Sequence, residues 1–381
     1  MWRTARQGRK LALPEMHRLP VNDEVDLAGD DVGHLVLWMP MLFPTRRPVV
    51  AIQRGRELIG MHGRPKDAGT HLLVFLLLPV KRKRFHRLRG FLHTFRITVD
   101  TKPQEAAVRF ASVIAENKPV LVVLQDDRAL PVLGPTELGK ATPTSFLLAP
   151  ELGLGAALPL DELTFRALVP NPGKIICVGL NYAAHAAEAG RRVPEYPALF
   201  AKFPNSLTGP YDAISCPPES SAIDYEGELA VVIGERGRRV SIDRALALIA
   251  GVSVANDVTM RDFQNLSSQW LQGKAWETST PVGPALVTLD EAGDLGRLEL
   301  VTRVNGAVVQ EASTDQMVRG VATLVSTISI FTTLEPGDLI LTGTPAGVGF
   351  RREPPLLLHP GDTVSVELEG IGRIENRFVA E

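Results

Sequence analysis

Two glutamates one residue apart, in Asp224-Tyr-Glu226-Gly-Glu228, run directly into the apolar stretch Leu229-Ala-Val-Val-Ile233. In a strand, positions i and i+2 project from one face, so these carboxylates stand side by side where a core begins. Neighbouring like charges repel, and removal from water adds to the cost. A divalent cation removes both objections. Asp257, at the end of the next expected strand, Gly251-Val-Ser-Val-Ala255, can supply a third oxygen. Three carboxylates without His or Cys beside them suit a hard ion, Mg²⁺, Mn²⁺ or Ca²⁺, rather than zinc. The competing reading is a solvated strand face with Arg236, Arg238 and Arg239 as partners, and spacing alone does not choose between the two.

A second group is His185-Ala-Ala-Glu188. At i and i+3 of a helix the two side chains share a face, and a carboxylate beside an imidazole fixes its tautomer and makes it a general base. An ordinary exposed polar pair has the same spacing. Lys274, between Gly273 and the Ala275-Trp276 pair, could reach a ligand anion or be a surface lysine. Thr342-Gly-Thr-Pro-Ala-Gly-Val-Gly349 offers backbone N–H groups and hydroxyls to a carboxylate or phosphate. It is not a dinucleotide loop, because Arg351-Arg-Glu-Pro-Pro355 follows it where a helix would be needed.

The elements that must position these groups are mostly strands. Ala107–Ala115 and Pro119–Leu124 flank the turn Glu116-Asn-Lys118, and Lys174–Gly179 reads as a short buried strand. Ala183–Ala189 is a helix stopped by Gly190. Asp224–Gly234 reads as one strand, Ile242–Ile249 as a helix, and Leu298–Val309 as a hairpin about Asn305-Gly306. Met317–Phe331 is an amphipathic helix, and two Pro-Gly-Asp turns, at Pro336 and Pro360, each feed a strand. The pattern is a strand-rich α+β fold, not the regular alternation of a doubly wound sheet. Pro170-Asn-Pro-Gly173 marks a boundary between a small N-terminal domain with its linker, 97–168, and a larger domain, 172–379.

Charge divides the chain unevenly. Residues 1–96 hold 18 Lys and Arg against 8 Asp and Glu, and the other 285 residues hold 23 against 35. Six of the eight histidines precede residue 94, so His185 and His359 are the two left to the acidic part. Residues 1–95, with the basic run Lys81-Arg-Lys-Arg-Phe-His-Arg-Leu-Arg89, read as a solvated, disordered extension or as sequence upstream of a true start near Val99. A net charge of -2 argues against nucleic acid as a partner of the whole chain. No run of apolar residues is long enough to span a membrane, and Cys177 and Cys216 cannot make a disulfide framework, which points to the cytoplasm.

In order and spacing, several stretches resemble the fumarylacetoacetate hydrolase family. They are Val178-Gly-Leu-Asn-Tyr-Ala-Ala-His185, Asp224–Gly234, Ala255-Asn-Asp-Val-Thr-Met-Arg-Asp262, Gly273-Lys274, Pro281-Val-Gly-Pro284 and Leu334–Gly349. The resemblance implies a mixed β-sandwich roll in the catalytic domain, a homodimer, and a small-molecule 2-oxo acid substrate. It places the metal (Mg²⁺ or Mn²⁺) on Glu226, Glu228 and Asp257, the catalytic pair on His185 and Glu188, and Lys274 facing the substrate. Arg261 and Gln264 fall on substrate-side positions and Thr344 on a carboxylate-binding one. The activity it implies is hydrolysis of a carbon–carbon bond in an acylpyruvate or related 2,4-dioxo acid, with His185 activating water and the metal stabilising an enolate. Isomerases and decarboxylases of the family share the metal site and form the alternative. A non-catalytic binding protein on the same fold is a third.

Overall fold

The computed structural model describes residues 109–149 and 152–381, together with the backbone of short strands between residues 32 and 81. Those strands aside, the expectations placed on residues 1–95, including the basic run, lie outside the described residues. The chain divides into two compact units, Met1–Pro103 and Gln104–Glu381.

The second unit begins with an antiparallel meander, β1 (Arg109–Ala115), β2 (Lys118–Gln125) and β3 (Arg128–Pro131). Its first turn sits at Glu116-Asn117, both with positive φ, where the sequence places it. The chain continues through β4 (Ile175–Gly179), α1 (Ala183–Glu188), β5 (Ala198–Lys202), β6 (Gly227–Ile233), β7 (Ile249–Asn256) and β8 (Thr280–Thr288). It then forms β9 (Glu299–Val304), β10 (Ala307–Ser313), α2 (Val321–Phe331), β11 (Leu339–Leu341), β12 (Thr363–Leu368) and β13 (Gly372–Ala380).

Two sheets result. The long mixed sheet runs β3-β2-β1-β8-β7-β6-β11-β4-β5, and the shorter one runs β13-β12-β9-β10 with Ile214–Cys216 at its end. The small N-terminal meander is hydrogen-bonded into the long sheet through β1 and β8, so the ladder crosses the boundary expected at Pro170–Gly173. The strand-rich α+β expectation is met.

β6 and β7 are buried along their whole length, as strands covered on both faces must be. Leu229, Val231 and Ile233 enter one core with Leu324, Val325 and Ile328 of α2 and Leu300 and Val366 of the second sheet. Ala230 and Val232 enter another with Phe110, Leu121 and Leu168. Each fully buried Leu, Ile or Val contributes about 1.5–3 kcal/mol, so β6 is held from both sides. Gly227 begins this strand where the second sheet comes closest. A Cβ there would lie 2.2 Å from Thr302 Oγ1 and 2.9 Å from Val366 Cγ1.

Three expected elements differ. The helix expected over Met317–Phe331 starts only at Val321, after Gly320. The helix over Ile242–Ile249 is a short turn, Ile242–Ala245, followed by a 3₁₀ turn to Leu248. The strand expected over Asp224–Gly234 breaks at Tyr225-Glu226, because the N–H of Tyr225 goes to Asp224 Oδ1 and that of Glu226 to Asn256 Oδ1 instead of into a ladder.

Candidate functional site

Despite that break, Glu226, Glu228 and Asp257 converge. All three are buried, and one oxygen of each lies within 4.8 Å of the others. The β6–β7 register is what brings them together: Glu228 pairs with Ala255, and the Asp257 N–H donates to Glu226 O at 2.8 Å just beyond the ladder. Two carboxylates come from the start of one strand, and the third follows the end of its antiparallel neighbour.

The surroundings of the three differ. Lys274 Nζ bridges Glu226 Oε2 at 2.7 Å and Asp257 Oδ2 at 2.8 Å. Arg261 Nη1 meets Glu226 Oε1 at 2.7 Å, while its Nε donates to Asp224 Oδ2 at 2.8 Å. Lys202, at the end of edge strand β5 with no side-chain exposure, donates to Asp257 Oδ1 at 2.6 Å. Glu228 has no cation: it accepts the Gly343 N–H at 2.7 Å, and no basic side chain reaches it among the described residues.

The electrostatics follow from these partners. Burial pushes the Glu226 carboxyl up, but Lys274 and Arg261 outweigh it and hold it down to about 2. For Glu228, burial and the charges of Asp257 and Glu226 act in one direction and raise it well above the usual carboxylate range. Burial would discharge the Lys274 ammonium, yet Asp257 and Glu226 keep it charged and raise its pKa. The four acids Asp224, Glu226, Glu228 and Asp257 face three cations, Lys202, Arg261 and Lys274. An all-oxygen donor set short of positive charge fits a hard divalent ion. The residues present therefore fit the metal expected from the sequence, with Glu226, Glu228 and Asp257 as its holders.

A cleft opens over this cluster, lined by His185, Glu226, Arg261, Gln264, Lys274 and Thr344 among others. It gathers every catalytic and substrate-side residue singled out in the sequence except Glu188, which stands behind His185. His185 Nδ1 lies 3.3 Å from Glu188 Oε2, which leaves Nε2 for the cleft. Burial tends to raise Glu188, but the bonds to His185 and the Gly347 N–H hold it below its usual value. α1 ends as the sequence predicts. Gly190, at φ +66°, and Arg191 donate their N–H groups to Ala187 O and Ala186 O, closing the helix.

The Gly-rich segment binds carboxylates, but they are the protein's own. Gly343 donates to Glu228, Gly347 to Glu188 at 3.0 Å, and Gly349 and Phe350 to Asp224 at 2.7 and 3.1 Å. Gly347 is at φ +103°, and a Cβ there would sit 2.2 Å from Val309 O, so the segment needs glycine to pass that close. The Thr344 hydroxyl donates to Gly227 O at 2.9 Å and accepts from Gln310 Nε2 at 2.8 Å. Gln264 Oε1 accepts from Arg261 Nη1 at 3.0 Å.

Two charged residues of the cluster escaped sequence reading. Lys202, in Ala201-Lys-Phe-Pro204, looks like any strand-end lysine, and only the sheet order puts it under Asp257. Asp224 lies inside the motif, beside Glu226, and could have been suspected from that alone.

Comparison with known proteins agrees with this fold. The chain belongs to the fumarylacetoacetate hydrolase family: residues 174–379 match the model of the fumarylacetoacetate (FAA) hydrolase C-terminal domain. It is 49% identical over 230 residues to the rat protein named oxaloacetate tautomerase Fahd2a, mitochondrial, covering 59% of this chain and 74% of that one. It is 48% identical over 224 residues to human oxaloacetate tautomerase FAHD2A, mitochondrial, covering 58% and 71%. Among solved structures it resembles the 5-carboxymethyl-2-hydroxymuconate delta-isomerase of Mycobacterium smegmatis, with TM-score 0.61 and 33% identity over 72% of this chain and 100% of that one. The 2-hydroxyhepta-2,4-diene-1,7-dioate isomerase of Mycobacterium marinum gives TM-score 0.61 and 34% identity, over 72% and 99%. No helix among the described residues is long and apolar enough to cross a membrane.

Proposed function

We propose that this chain is a metal-dependent tautomerase of 2-oxo acids that moves a proton between the carbon beside the oxo group and the oxo oxygen. The observation that carries this reading is Arg261. It is 6% exposed and lines the cleft, its Nε and Nη1 are spent on Asp224, Glu226 and Gln264, and its Nη2 has no partner. That partnerless, buried N–H belongs to a residue of the cleft wall, and on this reading it is the donor that a substrate carboxylate meets. Glu226, Glu228 and Asp257 would hold a Mg²⁺ or Mn²⁺, and such an ion would supply Lewis-acid polarisation of the 2-oxo acid.

The chain's own groups do the rest. Lys274 spends two of its three N–H bonds on Glu226 and Asp257, and the third is left for the substrate's oxo oxygen, where negative charge develops. His185, backed by Glu188, takes the carbon-bound proton on Nε2 and returns it to that oxygen, so the atoms balance without water. The names of the relatives support tautomerisation over the carbon–carbon hydrolysis expected from sequence. Hydrolysis stays as the second reading, because the same His185–Glu188 pair can take a proton from water.

The test is purified protein with Mg²⁺, presented with oxaloacetate and, separately, with an acylpyruvate. Proton exchange at the carbon beside the oxo group, followed by NMR, should accelerate with oxaloacetate and stop on metal chelation. His185→Ala should lower the rate by about 10²–10⁴-fold while leaving Mg²⁺ affinity unchanged. Cleavage of the acylpyruvate without accelerated exchange would favour hydrolysis, and an unimpaired His185→Ala enzyme would remove the pair from the mechanism.

A further inference from the structure

Behind the cleft wall stands an arginine whose hydrogen bonds go to no acid. Arg352 is half-buried, lies outside the cleft lining and forms no ion pair among the described residues. Its Nε donates to the Tyr225 hydroxyl and to Gly347 O, both at 3.2 Å, and its Nη2 donates to Val309 O at 2.5 Å. The Tyr225 hydroxyl donates to the same Gly347 O at 2.9 Å. The guanidinium thus spans from β10, an edge strand of the second sheet, to the Gly-rich segment.

Gly347 is the residue whose N–H reaches Glu188 Oε1 at 3.0 Å, and Glu188 Oε2 faces His185 Nδ1. A glycine at φ +103° has little backbone preference to aim that N–H. Two donors on its carbonyl fill both lone pairs and fix the residue from the other side. A neutral donor would hold a carbonyl as well, but a permanent charge also acts at Glu188. Burial raises the Glu188 carboxyl, the bonds to His185 and Gly347 lower it, and the charges of His185 and Arg352 add to the lowering. An ionised, fixed Glu188 keeps the imidazole proton on Nδ1 and leaves Nε2 as the base.

We propose that Arg352 is a positioning residue for the proton-transfer pair: by holding Gly347 O, with the Tyr225 hydroxyl as a second support, it fixes Glu188 and through it the tautomer of His185. This rests on the reading of His185 and Glu188 as the groups that move the proton. Arg352 itself takes no part in the transfer.

A double-mutant cycle separates this role from simple stapling of the segment. In the oxaloacetate exchange assay with the Mg²⁺-loaded full chain, Arg352→Met should lower kcat by about 10–100-fold, the effect of a misplaced proton-transfer group. KM and Mg²⁺ affinity should stay as they were, since neither substrate nor metal meets Arg352. Arg352→Lys should show an intermediate loss, because the charge stays and the fork is gone. In a Glu188→Gln background Arg352→Met should cost little more, because the group it acts through is already lost. Tyr225→Phe removes one of the two donors to Gly347 O and should repeat the pattern at smaller size, which serves if the methionine variant does not fold. Nitrogen NMR of histidine-labelled protein, with the His185 signal identified by its loss in His185→Ala, should show the Nδ1-protonated tautomer in the unaltered chain and a mixture in Arg352→Met or Tyr225→Phe. An equal cost in both backgrounds, or a His185 tautomer that these changes leave alone, overturns the positioning role and nothing else. No exchange by the unaltered chain, or full-rate exchange by Glu188→Gln, overturns the proton-transfer reading and the positioning role with it.

Discussion

The Gly343 N–H reaches Glu228 across 2.7 Å and fastens a Gly-rich segment to the one carboxylate of the cluster that has no cation. Backbone N–H groups of the same segment hold Glu188, behind His185, and Asp224, behind Arg261. One short stretch of chain thus holds Glu228, Glu188 and Asp224, and through the last two it bears on His185 and Arg261. A neutral donor offsets only part of a buried charge. Glu228 is therefore where the cluster's shortage of positive charge is concentrated, and its raised pKa reports that shortage.

Neutralising Glu228 should trade binding for stability. Glu228→Gln keeps the shape and removes a buried carboxyl that must either carry a crowded charge or take up a proton to stay in place. We expect the metal-free variant to melt a few degrees higher than the unaltered chain, for roughly 1 kcal/mol of relieved repulsion. Its Mg²⁺ affinity should fall by at least about 100-fold, more than loss of a supporting residue behind a ligand costs. Calorimetric titration beside thermal melts checks both. A variant that keeps its metal affinity removes Glu228 from the ligand set.

Much of this cluster was legible in the sequence, for definite reasons. Glu226-Gly-Glu228 stood out because two charges led into an apolar run, and Asp257 because it closed the next such run. The turns at Asn117, Gly190 and Asn305-Gly306 were readable because local backbone chemistry alone decides them. Lys202 and the break at Tyr225-Glu226 were not. Lys202 acquires its role from β5 lying two strands from β11 at the sheet edge, and the break arises from Asn256, far along the chain. In the Gly-rich segment the chemistry was right, backbone donors for anions, but the partners belong to the protein itself.

Protons should leave as metal enters. The folded Glu228 carboxyl lies above its ordinary value of about 4.5, so the folded metal-free chain binds more protons than the unfolded one in the window between. Its stability should accordingly fall as pH rises through that window, the opposite of a salt-bridged carboxylate such as Glu226. A dication favours the ionised form, so Mg²⁺ should bind more tightly as pH rises and release protons on binding. Titrations in two buffers of different ionisation enthalpy count those protons. Binding with none released, and no pH dependence of affinity, would show Glu228 already ionised.

Lys202 should matter more to the empty site than to the loaded one. Its ammonium, fully buried, holds Asp257 Oδ1 at 2.6 Å while Lys274 holds Oδ2. Lys202→Met removes the charge and nearly keeps the volume, leaving Asp257 with one cation. Breaking a buried pair from one side costs about 3–5 kcal/mol, and the metal-free variant should lose a corresponding amount in urea melts. Saturating Mg²⁺ should return part of that loss by replacing the missing charge. A variant as stable as the unaltered chain without metal would show that Lys274 alone suffices for Asp257.

Gly227 separates the two glutamates, and its lack of a side chain sets how closely the second sheet approaches them. In Gly227→Ala the new Cβ would stand 2.2 Å from Thr302 Oγ1 and 2.9 Å from Val366 Cγ1, both buried on neighbouring strands of the second sheet. Neither atom is the end of a long flexible chain, so β6 or the facing strands must shift. Overpacking of this kind costs about 1–3 kcal/mol. The shift also pulls at Gly227 N and O, which bond Gln310 and Thr344, and so moves Glu226 relative to Glu228. We expect a lower melting temperature together with weaker Mg²⁺ binding. Adding Thr302→Ala removes the nearer clashing atom, a hydroxyl that has no hydrogen-bond partner, and should restore both in part. Recovery of stability without recovery of metal affinity would mean that packing at Gly227 and the spacing of the carboxylates are independent.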